Sequence, residues 1–290
     1  MDKYEVVIPY YDDYDNLCLL LQDIARCNQR FEPERILIVN DGSTDDRIAE
    51  VSTKYNINLL PAIEVVNIDH SGFKSALEHG LSLVETEYAM IVHSDTRLIS
   101  NKTKVDLFKD VFSVLFFHII DVDDAMTVSC FSLDSYNNSI SKDYISAGLR
   151  HMGGEGMVIH HHRFRASGLI PIMWTKWYRC FSVSDNILAM NVKLYREVGG
   201  FDDELSQHGL FMDDFLATSR VKGYHSYFTH ETVAFHSITN DKPEGSLSRV
   251  ENNDEEYFSE KWKEHPAWTE ISLFRGVMIG DVSEQARSSR

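Results

Sequence analysis

Tyr10, Tyr11, Asp41 and Asp95 stand where short runs of β-forming residues break into polar ones. The runs are Val6-Val7-Ile8-Pro9, Ile36-Leu37-Ile38-Val39 and Ala89-Met90-Ile91-Val92. The breaks read Tyr10-Tyr11, Asn40-Asp41-Gly42-Ser43 and His93-Ser94-Asp95-Thr96. Continuous apolar strands belong to parallel sheets buried on both faces. Such sheets bind ligands beyond the carboxyl ends of their strands. Residues from three strand ends are therefore expected at one polar site. Carboxylates and an imidazole there suit cation binding. A second carboxylate pair, Asp213-Asp214, opens a helical stretch and suits proton transfer. A helix start also favours carboxylates through its dipole alone.

The elements that must position these residues alternate along the chain. Asp12 or Asp13 can cap a first helix, in which Leu17, Leu20, Leu21 and Ile24 share one face. The pattern then predicts a helix over 45–55, a strand over 63–68, a helix over 74–83 and a strand ending at Val92. A strongly apolar helix over 106–120 and a strand over 126–131 follow. This βαβαβ order implies an open α/β sheet with right-handed crossovers. Residues 136–177 are rich in Gly, His and aromatics and read as loop-heavy. Regular structure returns over 186–198, turns at Gly199-Gly200, and continues as a helix over 213–221 and a strand over 225–235. The segment 241–256 is polar and acidic, and 258–268 reads as a terminal helix.

Composition excludes some classes. The chain has 290 residues, a net charge of −17 and a pI near 5.1. That balance argues against broad electrostatic binding to nucleic acid or anionic lipid, which needs clustered Lys and Arg. Cys18, Cys27, Cys130 and Cys180 lack CxxC or metal-finger spacing and read as reduced thiols. Asp2, Lys3 and Glu5 interrupt any leader-like apolar stretch. The longest apolar run, 111–120, falls well short of the ~20 residues that span a bilayer. The expected location is cytoplasmic, with room for peripheral membrane association.

The motifs together resemble family 2 glycosyltransferases of the GT-A fold. The resemblance runs through Val7-Ile8-Pro9, Val39-Asn40-Asp41-Gly42-Ser43, Gly72-x-Lys74-x-Ala76 and His93-Ser94-Asp95. It continues through Gly199-Gly200-Phe201-Asp202, Asp213-Asp214 with Arg220 and Gly223-Tyr224, and His236. Tyr257-Phe258-x-x-Lys261-Trp262 resembles a C-terminal signature of some members. It implies a Rossmann-like, mostly parallel central sheet flanked by helices, with a C-terminal helical extension. Residues 1–240 would form the GT-A domain and 241–290 the extension. Within that domain, 1–131 would be the nucleotide-sugar-binding half and 132–240 the acceptor-binding half.

The resemblance implies a hexosyl- or pentosyltransferase that uses a nucleoside-diphosphate sugar, a UDP-sugar first among them. Pro9, Tyr10, Tyr11, Asp41, Gly72, Lys74, His93, Ser94 and Asp95 fall on the donor-binding positions. Asp41 would hold the ribose or base, and Tyr10 or Tyr11 would lie beside the base. The family usually carries Asp-x-Asp at the fourth strand end, where Mn²⁺ or Mg²⁺ neutralises the leaving diphosphate. Here His93 replaces the first carboxylate, Asp95 keeps the second, and His236 falls on a downstream ligand position. Imidazole suits Mn²⁺ better than Mg²⁺. Asp214 would be the base of an inverting displacement, with Asp213 beside it. Gly200, Phe201, Trp174, Trp177 and Arg220 would line the acceptor side. The acceptor would be a glycan, a lipid-linked glycan or another hydroxyl, with nucleic acid lowest in rank.

Two clusters read as decoys. Asp121-Val122-Asp123-Asp124 also matches Asp-x-Asp, but it comes one element too late and reads as a solvated loop. His160-His161-His162 would point successive rings to opposite faces of an extended segment. Two other classes stay open. A nucleotidyltransferase normally needs a Gly-rich, Arg-containing loop after the first strand, and Pro9-Tyr10-Tyr11-Asp12 supplies none. A catalytically silent nucleotide-sugar-binding protein is kept open by the missing first carboxylate.

Overall fold

The computed structural model describes residues 3–26, 32–55, 61–98, 111–136, 139–140, 145–153, 158–164, 177–180, 182–183, 185–206, 210–238 and 252–262. The first half runs β1 (Tyr4–Tyr10), α1 (Tyr14–Arg26), β2 (Arg35–Asp41), α2 (Val51–Tyr55), β3 (Ala62–Ile68), α3 (Phe73–Leu83), β4 (Tyr88–Val92), β5 (Thr96–Arg97), α4 (Val111–Ile120) and β6 (Ala125–Tyr136). There follow β7 (Ser139–Ile140), β8 (Ile145–Gly153), β9 (Val158–Phe164), β10 (Trp177–Cys180), β11 (Ser182–Val183), β12 (Ile187–Asn191), α5 (Val192–Val198), α6 (Leu210–Val221), β13 (His225–Ile238) and α7 (Asn252–Trp262).

One sheet carries the described strands, in the order β10-β13-β6-β12-β4-β1-β2-β3 along its main path. Strands β3, β2, β1 and β4 are mutually parallel. Strand β12 is antiparallel to both β4 and β6. Strands β6 and β13 therefore run the same way as β1, and they pair in parallel with each other.

The alternation of side chains along each strand assigns the faces. Val7, Leu37 and Ile91 join one core with α3, α5, α6 and α7. Val6, Ile8, Ile36, Ile38 and Val92 join the other with α1 and α4. Both faces are covered, so the strands read as continuous apolar runs. The close seat of α3 depends on Gly80: a Cβ there would meet Val7 Cγ1 at 2.5 Å and Val39 Cγ2 at 3.1 Å.

Several boundaries differ from those the pattern predicts. Residues 136–177, expected to be loop-heavy, contain β7, β8 and β9. Mixed Gly, His and aromatic content masks a period-2 pattern, and sheet pairing supplies what propensity does not. Helix α6 begins at Leu210, so Asp213 and Asp214 lie inside its first turns rather than at its start. Helix α7 begins at Asn252 rather than Phe258, because polar residues extend it in front of its first buried aromatic. Of the expected helix over 106–120, residues 106–110 lie outside the described set. None of the described helices is long and apolar enough to cross a membrane.

Candidate active site

The carboxyl ends of β1, β2, β3 and β4 share one edge of the sheet. Register places Tyr10 opposite Asn40, and Asp41 opposite Ile68. The antiparallel β12 begins at that edge, where Ile187 faces Val92. The carbonyl of Asn186 accepts from the His93 backbone N–H at 3.0 Å and from Thr96 Oγ1 at 3.0 Å. These bonds fix the turn that carries His93, Ser94 and Asp95. In β13, His236 lies opposite Thr96, one residue from Asp95. The His236 backbone therefore belongs to the same edge.

Asp41 is almost wholly committed to the protein itself. Its carboxylate accepts from the Ser71 N–H at 2.7 Å and the Gly72 N–H at 2.9 Å, and it lies 3.0 Å from His70 Nδ1. The residue is 3% exposed. Asp41 thus folds the β3–α3 turn onto the end of β2. Gly42 permits this approach, since its φ is +67° and a Cβ would lie 2.7 Å from the His70 nitrogen. The His70 ring stacks on Tyr11 with centroids 4.4 Å apart. Tyr11 and His70 together offer a flat, partly exposed surface. Tyr10 and Pro9 are buried instead, and burial pushes the Tyr10 hydroxyl up to about 12.

The loop after β1 contributes two carboxylates. Asp12 has φ +44°, a left-handed conformation that costs a non-glycine residue strain. It is held there by hydrogen bonds from Ser43 Oγ at 2.5 Å, Thr44 N at 2.8 Å, Thr44 Oγ1 at 3.0 Å and Asp45 N at 3.1 Å. Asp13 starts α1 through its carbonyl, which accepts from the Leu17 N–H. Its side chain turns inward, accepting from Ser94 Oγ at 3.0 Å and Asn16 Nδ2 at 2.9 Å. Burial, and next the charge of Asp95, push the Asp13 carboxyl up to about 6. Hydrogen bonds from Ser94 and Asn16 act the other way. Asp13 and Asp95 therefore form a like-charged pair around Ser94. In the sequence, Asp13 reads only as a helix cap. Its position three residues beyond a strand end was the available signal.

Lys74 does not spend its ammonium on this edge. It is 3% exposed and donates to the carbonyls of Asp202 at 2.6 Å and Leu205 at 3.1 Å. It ties α3 to the turn before α6. Phe73 beside it packs edge-on against His93 at 4.6 Å and against Phe211 of α6 at 6.0 Å. That aromatic chain sets the start of α6 close to the His93 turn.

On α6, Asp213 and Asp214 are 1% and 2% exposed. Asp214 Oδ1 accepts from Trp262 Nε1 at 2.7 Å, and Oδ2 accepts from Lys261 Nζ at 2.8 Å. Lys261 also reaches Asp202 Oδ2 at 2.6 Å, which accepts from Tyr257 Oη at 2.8 Å. Burial raises the Asp214 carboxyl above its ordinary range, while Lys261 and Trp262 pull it down.

Phe201 sits in the core, ringed by Tyr195, Phe211 and Phe215 at 4.9–5.2 Å. Gly200 has φ +82° and makes the turn in front of it. Arg220 is half-buried in the last turn of α6. Trp177 pairs with Thr229 along β10, and Trp174 lies outside the described residues. The decoy Asp121–Asp124 precedes β6, so it lies at the opposite edge of the sheet, with Asp121 and Asp123 exposed. The His160–His162 backbone belongs to β9, paired with β8. Among the described residues no group of three or more His, Cys, Asp and Glu is preassembled to hold a metal.

Residues 5–103 match the model of the family described as Glycosyl transferase family 2. No curated protein matches the chain. The solved structure of GalNAc-T7 with UDP, GalNAc and Mn²⁺ is similar in fold, with a TM-score of 0.67 at 12% identity over 91% of this chain and 49% of that one. S. aureus TarS 1–349 in complex with UDP-GlcNAc gives 0.54 at 16% identity, covering 86% and 62%. The mannosyltransferase PcManGT from Pyrobaculum calidifontis, in complex with GDP-Man and Mn²⁺, gives 0.51 at 14% identity, covering 82% and 57%. The chain thus spans roughly half to three fifths of the length of these structures. Its fold is the GT-A fold of glycosyltransferases.

Proposed function

We propose that this chain, a GT-A protein whose residues 5–103 match glycosyltransferase family 2, is a metal-dependent transferase. It moves a sugar from a nucleoside-diphosphate sugar, a UDP-sugar first, to an acceptor hydroxyl with inversion. The observation that carries the reading is the strand-end edge itself. There the Tyr11–His70 stack, the Asp41-pinned turn and the Asp13–Ser94–Asp95 cluster converge, with His236 in register beside them. A flat aromatic surface suits a base, and carboxylates suit a cation beside a diphosphate.

The donor set fits Mn²⁺ or Mg²⁺. Two hard carboxylates, Asp13 and Asp95, flank Ser94, His93 adds an imidazole, and the backbone of His236 runs in register beside Thr96. These residues would hold the ion, which when bound neutralises the charge of the leaving diphosphate. Asp13 supplies the carboxylate that His93 lacks. Tyr11 and His70 stack beside the base. Asp41 acts chiefly by holding the Ser71-Gly72 turn, and Lys74 by holding the turn before α6. Asp214 takes the proton of the acceptor hydroxyl as the new bond forms, and Asp213 adjoins it. Residues 1–131 would handle the donor and 132–240 the acceptor.

A second reading, binding of a nucleotide sugar without transfer, draws on the internal bonds that occupy Asp214. Thermal shift with UDP-glucose, UDP-GlcNAc, UDP-GalNAc and GDP-mannose, with and without Mn²⁺, tests the common premise. A ligand at 100 times its Kd adds about 2.7 kcal/mol. No stabilisation by any of the four would overturn both readings. Release of UDP or GDP, with inverted anomeric configuration by NMR, separates transferase from binder.

A further inference from the structure

We propose that Lys261 and Trp262 are positioning residues for the Asp214 carboxylate, so that α7 helps to build the acceptor side of the site. The inference rests on reading Asp214 as the base.

Helix α7 is mostly polar, yet one face of it is specialised. Asp254, Tyr257, Phe258, Lys261 and Trp262 recur at helical spacing and so share a side. Phe258 and Trp262 are 1% and 3% exposed and enter the core beside α6. The polar members each seize a group of the α5–α6 connection or of α6. Asp254 accepts from the Ser206 N–H, Tyr257 from its hydroxyl donates to Asp202, and Lys261 bridges Asp202 and Asp214. Lys74 of α3 holds the same connection from behind, through the carbonyls of Asp202 and Leu205.

Two consecutive residues address the two oxygens of Asp214 separately, the indole N–H on Oδ1 and the ammonium on Oδ2. That arrangement fixes the rotation of the carboxylate. An ionised carboxylate has about four lone-pair sites, so acceptor capacity remains for a hydroxyl. Both donors also favour the ionised form, which a base requires, against the burial that disfavours it. The charged and titratable groups that face Asp214 are Lys261, with Asp202 and Tyr257 behind it, and Asp213 precedes it on α6.

The test uses the full chain with Lys261→Met, Lys261→Arg, Trp262→Phe and Asp214→Asn. Release of UDP or GDP from UDP-GlcNAc, UDP-GalNAc or GDP-mannose, with water as acceptor and Mn²⁺ present, is followed across pH. Lys261→Met and Trp262→Phe are expected to lower kcat by about 10²-fold, the scale of a misplaced catalytic group, with KM for the donor little changed. Lys261→Arg should restore most of the rate. The acidic limb of the kcat profile should move to higher pH in Lys261→Met, because burial then acts on Asp214 with one donor fewer. Nitrogen-15 NMR of the Trp262 indole gives a readout independent of turnover. Its N–H signal should titrate with Asp214 in the wild type, later in Lys261→Met, and not at all in Asp214→Asn. Folded variants that keep kcat within twofold and leave both the limb and the indole titration unmoved would overturn the proposal. A wild type that releases no nucleotide from any donor would instead defeat the transferase reading, and the indole titration would still decide whether α7 governs Asp214.

Discussion

At the scale of single residues, what matters is which donors each carboxylate already has. Asp41 has the N–H groups of Ser71 and Gly72 and the His70 ring. Asp41→Ala should therefore cost stability as well as donor affinity. Charge-assisted bonds to a buried carboxylate suggest a loss of about 2–3 kcal/mol. Urea unfolding measures the first effect and donor titration the second. Unchanged unfolding with lost affinity would mean that the carboxylate faces the nucleotide instead. Asp13 accepts from Ser94 Oγ, and Asp95 next to Ser94 repels it. Asp95→Ala should abolish the Mn²⁺-dependent thermal shift while leaving the metal-free Tm near that of the wild type. Asp13→Ala should weaken the same shift, and an undiminished shift would leave Asp95 as the site's one carboxylate ligand.

At the scale of elements, the site edge depends on how closely α3 and the β1–α1 loop are seated. Gly80→Ala would force α3 away from Val7 and Val39. Overpacking of this kind costs about 1–3 kcal/mol, and chemical denaturation should show it. The displaced helix begins at Phe73, so affinity for the donor should fall with it. Asp12 closes the β1–α1 loop onto residues 43–45. Burial works against its ionisation, but the hydrogen bonds from Ser43, Thr44 and Asp45 prevail and hold the carboxyl below its ordinary range. A depressed folded value means stability that is present above the ordinary carboxylate pKa and lost as pH falls through the folded one. Asp12→Ala should cost about 1–2 kcal/mol at pH 7, and the gap from wild type should narrow in urea titrations below pH 4. A gap that stays constant with pH would assign the loss to loop strain alone.

At the scale of the whole molecule, the sheet runs unbroken from β3 to β10, and α7 packs into the core beside α6 from the far end of the described chain. Truncation after residue 251 removes Phe258 and Trp262, whose burial is each worth about 3–5 kcal/mol. That sum approaches the ~5–15 kcal/mol stability of a typical domain. The truncated chain should show a much lower urea midpoint, and full retention of the midpoint would mean that α7 is a dispensable cover. The strand ends were legible from the residues themselves. Runs such as Val6–Pro9 and Ile36–Val39 are apolar throughout because both faces are covered, and the first polar residue after each run marks the edge. The helical spacing of Leu17, Leu20, Leu21 and Ile24 was legible for the same reason, since all four are buried on α1. The strands within 139–164 were not, because their residues carry no clean alternation and neighbours in the sheet define them. Nor did local pattern reveal which site residues are engaged. Asp41 meets Gly72 across 31 residues, Asp214 meets Trp262 across 48 and Lys74 meets Asp202 across 128. Residue type and local spacing determine that a carboxylate stands at a strand end or a helix turn. Only the tertiary structure decides whether its lone pairs are already taken, because the donors that take them arrive from distant segments.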